Sequence, residues 1–350
     1  MSEPSSPAPP AAPAPRSSSV VRRVVGVMLV AIVLYGAFVI YRGVEPVRAR
    51  LASYAWWTFA AACGLAFSNY LLRFLKWEYY LKVLDIRGIP KGESLLTFLS
   101  GFVLTVTPGK LGEVFKSLVL FQTRGIPIER TAPIVVAERA TDVIGVIAMI
   151  TIGSTGFSGG IWWAVAGTVL VVGLLVFIAF PGLSAPLIAR LGRFGRFGAR
   201  VAPKLEAAMG HLRLLTTPRR LVIPTLLSFV GWSLEGLALW LILRGFDQTT
   251  PVTLAIFFYS TATLAGAVIP IPGGLGVVDG LIEQQLVQLG SVAPDAALGT
   301  MLLIRLATLW FAVAVGFVAL GLLRLRYRGL EIGGAPPPAR PGDAPRGDRP

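Results

Sequence analysis

Cysteine and histidine are nearly absent from this chain, with Cys63 the one thiol and His211 the one imidazole in 350 residues. A lone cysteine excludes a disulfide-stapled fold, and Cys63, inside an apolar run, reads as a small packed hydrophobe. No His/Cys spacing for a metal exists, nor a complete nucleotide-binding fingerprint, so no cofactor and no catalytic centre is expected. Charge is scarce as well. Charged residues make up 14% of the chain, against about 25% in a soluble domain. Apolar residues make up 54%, the mean hydropathy is +0.71, and they gather into runs near or above the ~18–20 needed to cross a bilayer. These proportions predict an all-α polytopic membrane protein.

Acids are the rarer sign, 18 against 32 Lys and Arg, for a net charge of +14. In a soluble protein that excess would point to nucleic acid. Here the cations lie mostly between apolar runs and at their ends, as positive-inside signals facing anionic headgroups, and no nucleic-acid partner is expected.

The Pro/Ala/Ser stretch 1–19 and the stretch 326–350, rich in Gly, Pro and Arg, are expected to be disordered tails around one transmembrane domain at 20–325. Six full spans are predicted at about 20–41, 51–74, 131–152, 161–181, 221–243 and 296–323. The first follows Arg22 and Arg23 and lacks a small-x-small cleavage site, which reads as a retained anchor.

Two further apolar regions are broken in the middle. In 93–121, ESLLTFLSGFVLTV runs into Thr107-Pro108-Gly109-Lys110-Leu111-Gly112-Glu113. In 251–290, PVTLAIFFYSTATLAGAV runs into Ile269-Pro270-Ile271-Pro272-Gly273-Gly274-Leu275-Gly276. Pro108, Pro270, Pro272 and the clustered glycines break the helix. The first arm, about 14 residues or roughly 21 Å, is shorter than a ~30 Å hydrocarbon core. Each region is therefore either a kinked span or a re-entrant hairpin.

The charge pattern favours hairpins. Segment 182–220 holds eight Lys and Arg against Glu206 alone, and reads as a basic amphipathic cytoplasmic loop. Two re-entrant hairpins put this loop and both termini on the cytoplasmic side. Arg42, Arg48 and Arg50 then fall outside, as interfacial anchors.

The broken regions resemble each other. Pro108-Gly109-Lys110-Leu111-Gly112 aligns with Pro272-Gly273-Gly274-Leu275-Gly276, and Arg139 and Arg305 follow 31 and 33 residues after the prolines. With hairpins dipping from opposite sides, about 51–181 and 221–323 form an inverted-topology repeat with a site near the midplane. Irregular backbone at that depth must line protein or a wet cavity, and helix N-termini beyond the breaks favour an anion.

Charges within spans carry the site. Glu138, Arg139 and Asp142 sit together in TAPIVVAERATDVIGVIAMITI, and Arg305 stands alone in its span. Each costs about 2.5–3.5 kcal/mol near the bilayer centre. They form either self-neutralising ion pairs or a cavity lining. In the second reading Lys110, Arg139 and Arg305, with Gly109, Gly112, Gly273, Gly274 and Gly276, hold a headgroup phosphate. Glu113, Glu138, Asp142 and Asp279 then serve a proton or a cation. Arg73, Lys76 and Lys116 are expected to snorkel to the interface; Trp56, Trp57, Trp77, Trp162 and Trp163 form an aromatic belt, and His211 is solvated.

The order of Arg73…Trp77, TPGKLGEVFKSLVL (107–120), Glu138-Arg139…Asp142, IPIPGGLGVVDG (269–280) and Arg305 resembles the flippase-like transmembrane region of bacterial lysylphosphatidylglycerol synthases and their stand-alone relatives, over about residues 20–325. The resemblance implies an inner-membrane protein that moves modified phospholipids or lipid-linked groups between leaflets. Lys110 and Lys116 stand where that family usually has arginine, and Asp279 where it has glutamate. No aminoacyl-transferase domain is present in the sequence, so synthesis of the lipid is not implied. The expected partners are membrane lipids. The alternative is a non-transporting subunit that scaffolds a lipid-modifying enzyme or glycosyltransferase.

Overall fold

The computed structural model describes residues 48, 50–106, 112–154, 161–192, 195–269 and 271–327. The expected span at 20–41, both tails, and Pro108, Gly109, Lys110 and Pro270 lie outside the described residues. Among the described residues the chain is helical with no strand.

Helix α1 is Trp56–Val83, and α2 is Lys91–Ser100, extended by a 3-10 turn at Gly101–Leu104. Beyond the first break come α3 (Gly112–Arg124), α4 (Ile128–Gly153) and α5 (Ile161–Ala179). The basic segment forms α6 (Pro181–Gly192) and α7 (Gly195–Leu215). Next are α8 (Pro218–Gly245) and α9 (Val252–Val268), then the second break with a short turn at Pro272–Gly274, and α10 (Val277–Gln288). Helix α11 (Pro294–Arg305) passes through a π-helical turn at Leu306–Trp310 into α12 (Phe311–Arg326).

Prolines punctuate these starts. Pro90, Pro127 and Pro251 precede α2, α4 and α9, while Pro218 and Pro294 occupy the first turns of α8 and α11. A missing N–H is harmless there, because the first turn has no internal acceptor for it.

Among the described residues three helices are long and apolar enough to cross a membrane: α1, α8 and the continuous Pro294–Arg326 rod. Helix α4 matches them in length at 26 residues but carries its cluster of charges. The chain is a multi-pass helical membrane protein. A 28-residue helix, a short helix, a second short helix and a long helix occur in that order twice, as α1–α4 and as α8–α12.

The two 28-residue helices pack antiparallel along their whole length. The Ala55 N–H donates to the Gly245 carbonyl at 3.1 Å. Asn69 meets Glu235 near the middle, and Lys76 meets Ser228 beyond it. Gly231 and Gly245 permit this approach, since a Cβ on either would fall 2.3 Å from Asn69 Oδ1 or Thr58 Oγ1.

The halves also exchange partners. Helix α9 packs on α4, and α2 with its 3-10 turn packs on α12. Gly316 of α12 faces the backbone of that turn, where an added Cβ would sit 2.5 Å from the Val103 nitrogen. Phe98, Phe102, Tyr70 and Trp77 fill the adjoining core.

The basic segment departs from a bare surface loop. Helix α7 packs on α4 and buries Met209, Leu212 and Leu215, and His211, expected in solvent, is only partly exposed.

Backbone cannot withdraw as a flexible side-chain tip does, so Gly316→Leu is expected to cost about 1–3 kcal/mol through overpacking. Gly321→Leu, one turn on and facing open space, is expected to be nearly neutral. Thermal unfolding of the two variants in detergent, followed by tryptophan fluorescence, checks the difference.

Candidate functional site

Six of the buried charges among the described residues form three compact groups. On α1, Lys76 is 1% exposed and donates to Asp142 Oδ1 of α4 at 2.5 Å and to Ser228 Oγ of α8 at 2.8 Å. Ser228 Oγ in turn donates to the same carboxylate oxygen at 2.8 Å. One lysine thereby ties three helices together. On α3, Lys116 is 2% exposed and pairs with Glu138 Oε2 of α4 at 2.5 Å. Its ammonium also lies 4.6 Å from the Trp77 ring centroid and 5.2 Å from that of Phe98, a cation–π setting that is strongest away from water.

The third group sits at the second break. Gly273, Gly274 and Gly276 all have positive φ, at 60°, 66° and 83°, a region closed to most L-residues. The Gly276 N–H donates to Asp279 Oδ2 at 2.8 Å, which caps the start of α10. Arg305 Nε lies 2.7 Å from Asp279 Oδ1, and Arg305 Nη2 donates to the Gly273 carbonyl at 2.5 Å. The guanidinium thus satisfies backbone that the break leaves without helical partners.

Arg139, Arg305, Gly273 and Gly274 meet at one cavity of about 100 Å³, whose wall also includes Arg73, Glu235, Tyr70, Tyr259, Trp232 and Thr308. Arg139 reaches Asp142 at 3.4 Å while a quarter of its side chain stays exposed. Arg73 lies over the Phe102 ring at 5.4 Å. Glu235, 5% exposed, accepts from Asn69 Nδ2 at 2.5 Å and from the Tyr259 hydroxyl. The Tyr70 hydroxyl donates to the Thr308 carbonyl at 2.7 Å, a group in the π-helical turn, where the regular ladder is interrupted. The wall carries three arginines and the Glu235 carboxylate, with Asp142 and Asp279 paired to Arg139 and Arg305 behind it.

Arg139 and Arg305 therefore share a cavity with the second glycine break, whereas Glu138 and Asp142 are held by lysines. Asp279 serves the break itself, through the α10 cap and Arg305. Gly112 and Glu113 lie in the first turn of α3; Lys110, Gly109 and Pro108 are outside the described residues. Two expectations are corrected. Lys76 and Lys116 do not snorkel, because buried carboxylates on α4 neutralise them within the bundle. Trp77 is fully buried under Lys116, away from any belt. Trp56, Trp57 and Trp162 are exposed, at 52%, 67% and 73%.

The sequence reading missed Glu235, although it is an isolated acid in the apolar WSLEGLALW, the signal that drew attention to Arg305. It also missed Tyr259 and Asn69, which hold that carboxylate.

Further pairs occur toward the ends of the helices, among them Arg50–Asp295 and Arg124–Glu93. Arg50 Nε lies 2.6 Å from Asp295 at the start of α11, which gives Arg50 a partner where the sequence offered only anchoring. Arg124 at the end of α3 grips Glu93 at the start of α2 through bonds of 2.7 and 2.5 Å. Burial alone would raise the Glu93 pKa, but those bonds and the guanidinium charge hold it below the ordinary glutamate value.

These features define a polytopic helical membrane protein with a buried ionic network and a cationic cavity at a glycine break. The chain belongs to the family described as the lysylphosphatidylglycerol synthase transmembrane region, whose pattern matches residues 23–316. A UPF0104 membrane protein of Methanocaldococcus jannaschii is 22% identical to it over 222 residues, 62% of this chain and 92% of the relative. Two UPF0104 membrane proteins of Methanothermobacter thermautotrophicus are also similar. One is 23% identical over 70% of this chain and 77% of its own length, the other 27% over 36% and 37%.

Breaking a buried ion pair strands one charge, so Lys116→Met alone is expected to destabilise the protein by about 3–5 kcal/mol. The double variant Lys116→Met/Glu138→Leu is expected to recover most of that loss. A double-mutant cycle in detergent measures it; a double variant as unstable as the single would mean that the pair does more than neutralise itself.

Proposed function

We propose that this protein is a lipid flippase or lipid-linked-substrate transporter, which passes an anionic headgroup between leaflets through the cavity at the second glycine break. The single observation that carries the reading is the convergence of Arg73, Arg139 and Arg305 on that small cavity. Arginine forks match phosphate geometry, and Arg139 keeps a quarter of its side chain exposed beside its Asp142 contact.

The architecture supports the same reading. In it, five of the six spans and the two re-entrant hairpins form an inverted repeat, at about 51–181 and 221–323. The repeated element order, the antiparallel α1–α8 pairing and the exchange of α2 and α9 between halves support the inverted sense. Opposed halves around a midplane site are the arrangement on which alternating access depends. The basic segment 182–220 and both termini face the cytoplasm, and the protein resides in a bacterial inner membrane. Lys110, with Gly109, Gly112, Gly273, Gly274 and Gly276, belongs to the phosphate-binding set. Glu113, Glu138, Asp142 and Asp279 supply the acidic set that neutralises cations or relays protons. No chemical step is assigned, and the partners are membrane lipids.

The test is a leaflet-resolved headgroup assay on the purified protein in liposomes, with a panel of anionic phospholipids and lipid-linked phosphates. Wild type is expected to accelerate movement of at least one candidate, and Arg139→Ala to abolish it while the protein stays folded. Arg139→Lys, which keeps the charge and loses the fork, is expected to retain part of the rate. No movement of any candidate, or full activity in Arg139→Ala, would count against the reading.

A further inference from the structure

A second concavity lies on the outside of the bundle, at the end of α1 away from Ala55. Its apolar floor is formed by Leu75 of α1, Ile223 and Leu227 of α8, and Ile89 of the α1–α2 loop. Lys82, Arg87 and Lys91 stand on its rim. The concavity measures about 710 Å³, within the range of ligand sites of roughly 300–1,000 Å³.

We propose that this groove holds one resident phospholipid with an anionic headgroup, at a site separate from the central cavity. The charge arrangement carries the assignment. Lys91 is paired with Glu78, and Arg87 with Asp85 at 2.7 Å across an exposed surface. Lys82 is exposed and has no ion-pair partner among the described residues. The rim is therefore net positive above an apolar floor.

Position along the helices fits the same ligand. Leu75 and Ile223 are about half exposed on the flank of two membrane-crossing helices, where an acyl chain would run. Lys82 follows Leu75 by about two helical turns, and Arg87 lies in the loop after α1, beyond the apolar stretch, where a headgroup phosphate would lie. A soluble anion would use only the rim, and an uncharged lipid only the floor; an anionic phospholipid uses both. The lipid would brace the α1–α2 loop against the start of α8.

The experiment uses full-length protein stripped of lipid in detergent. Phosphatidylglycerol, phosphatidylcholine or free glycerol 3-phosphate is added, and bound lipid is counted by native mass spectrometry. It is run in wild type, Arg139→Ala and Lys82→Gln/Arg87→Gln. One phosphatidylglycerol is expected to remain on wild type and on Arg139→Ala, and its affinity to fall about tenfold in the double variant, given the modest worth of each surface cation near a headgroup. Equal retention of phosphatidylcholine, equal binding of free glycerol 3-phosphate, or undiminished binding in the double variant would overturn the proposal. Wild-type protein is also labelled with phosphatidylglycerol carrying a photoreactive acyl chain, which keeps the test independent of how the variants fold. Adducts at Leu75, Ile223 or Leu227 support the site, and adducts that avoid all three overturn it.

Discussion

An ionised side chain inside an apolar bundle has to be matched by an opposite charge or a full set of hydrogen bonds, and this requirement organises the centre of the molecule. Lys76, Lys116 and Arg305 each meet a carboxylate presented by a different helix. Their contacts are not interchangeable decoration of a hydrophobic core. Lys76 joins α1, α4 and α8 at one point, Lys116 fixes α3 to α4, and Arg305 fixes α11 to the second break. The short helices α3 and α10 are among the elements tied by charge. Desolvation cancels much of the Coulomb gain in such pairs. Their consequence here is geometric: the pairing fixes which helix faces meet.

Lysine and arginine divide the work along lines set by their chemistry. The two lysines lie in dry surroundings, where a compact ammonium is consumed by one carboxylate and nearby hydroxyl or aromatic groups. Arginine occupies the cavity wall. Its five N–H donors allow Arg305 to hold Asp279 and the Gly273 carbonyl and still present donors elsewhere. Arg139 likewise contacts Asp142 with one edge and remains partly open. A lysine at position 305 would have to choose between the carboxylate and the broken backbone, and could not serve both with the same rigid geometry.

Much of this was legible in the sequence, and for identifiable reasons. Hydropathy runs located α1, α4, α8 and the α11–α12 rod, because crossing a bilayer demands length and apolarity together. The Gly273–Gly276 break was readable because clustered glycine and proline cannot continue a helix. Partner choice was not readable. Lys76 and Lys116 lie near helix ends in the sequence, and snorkelling is the local solution there; only the packing of α4 against α1 and α3 supplies the carboxylates that make burial the better one. Trp77 was misplaced for the same reason, since its partner Lys116 lies 39 positions away. Glu235 was overlooked although its signal was local, and its place in the cavity depends on α8 lying alongside both Asn69 and Tyr259.

The exchange of short helices between the halves sets the terms on which the cavity exists. The first short helix of each half packs against the long helix of the other: α2 on α12, and α9 on α4. Neither half therefore closes its own wall, and the arginines that meet at the cavity come from both, Arg73 and Arg139 from the first and Arg305 from the second. Gly316 and Gly153 lie at these two crossings, where an added Cβ would press on the Val103 nitrogen and the Phe257 side chain. Close packing through glycine leaves little freedom to compress and some freedom to slide, because a smooth surface has no side chain to interlock. The two crossings thereby bring Arg139 of the first half and Arg305 of the second onto one cavity wall.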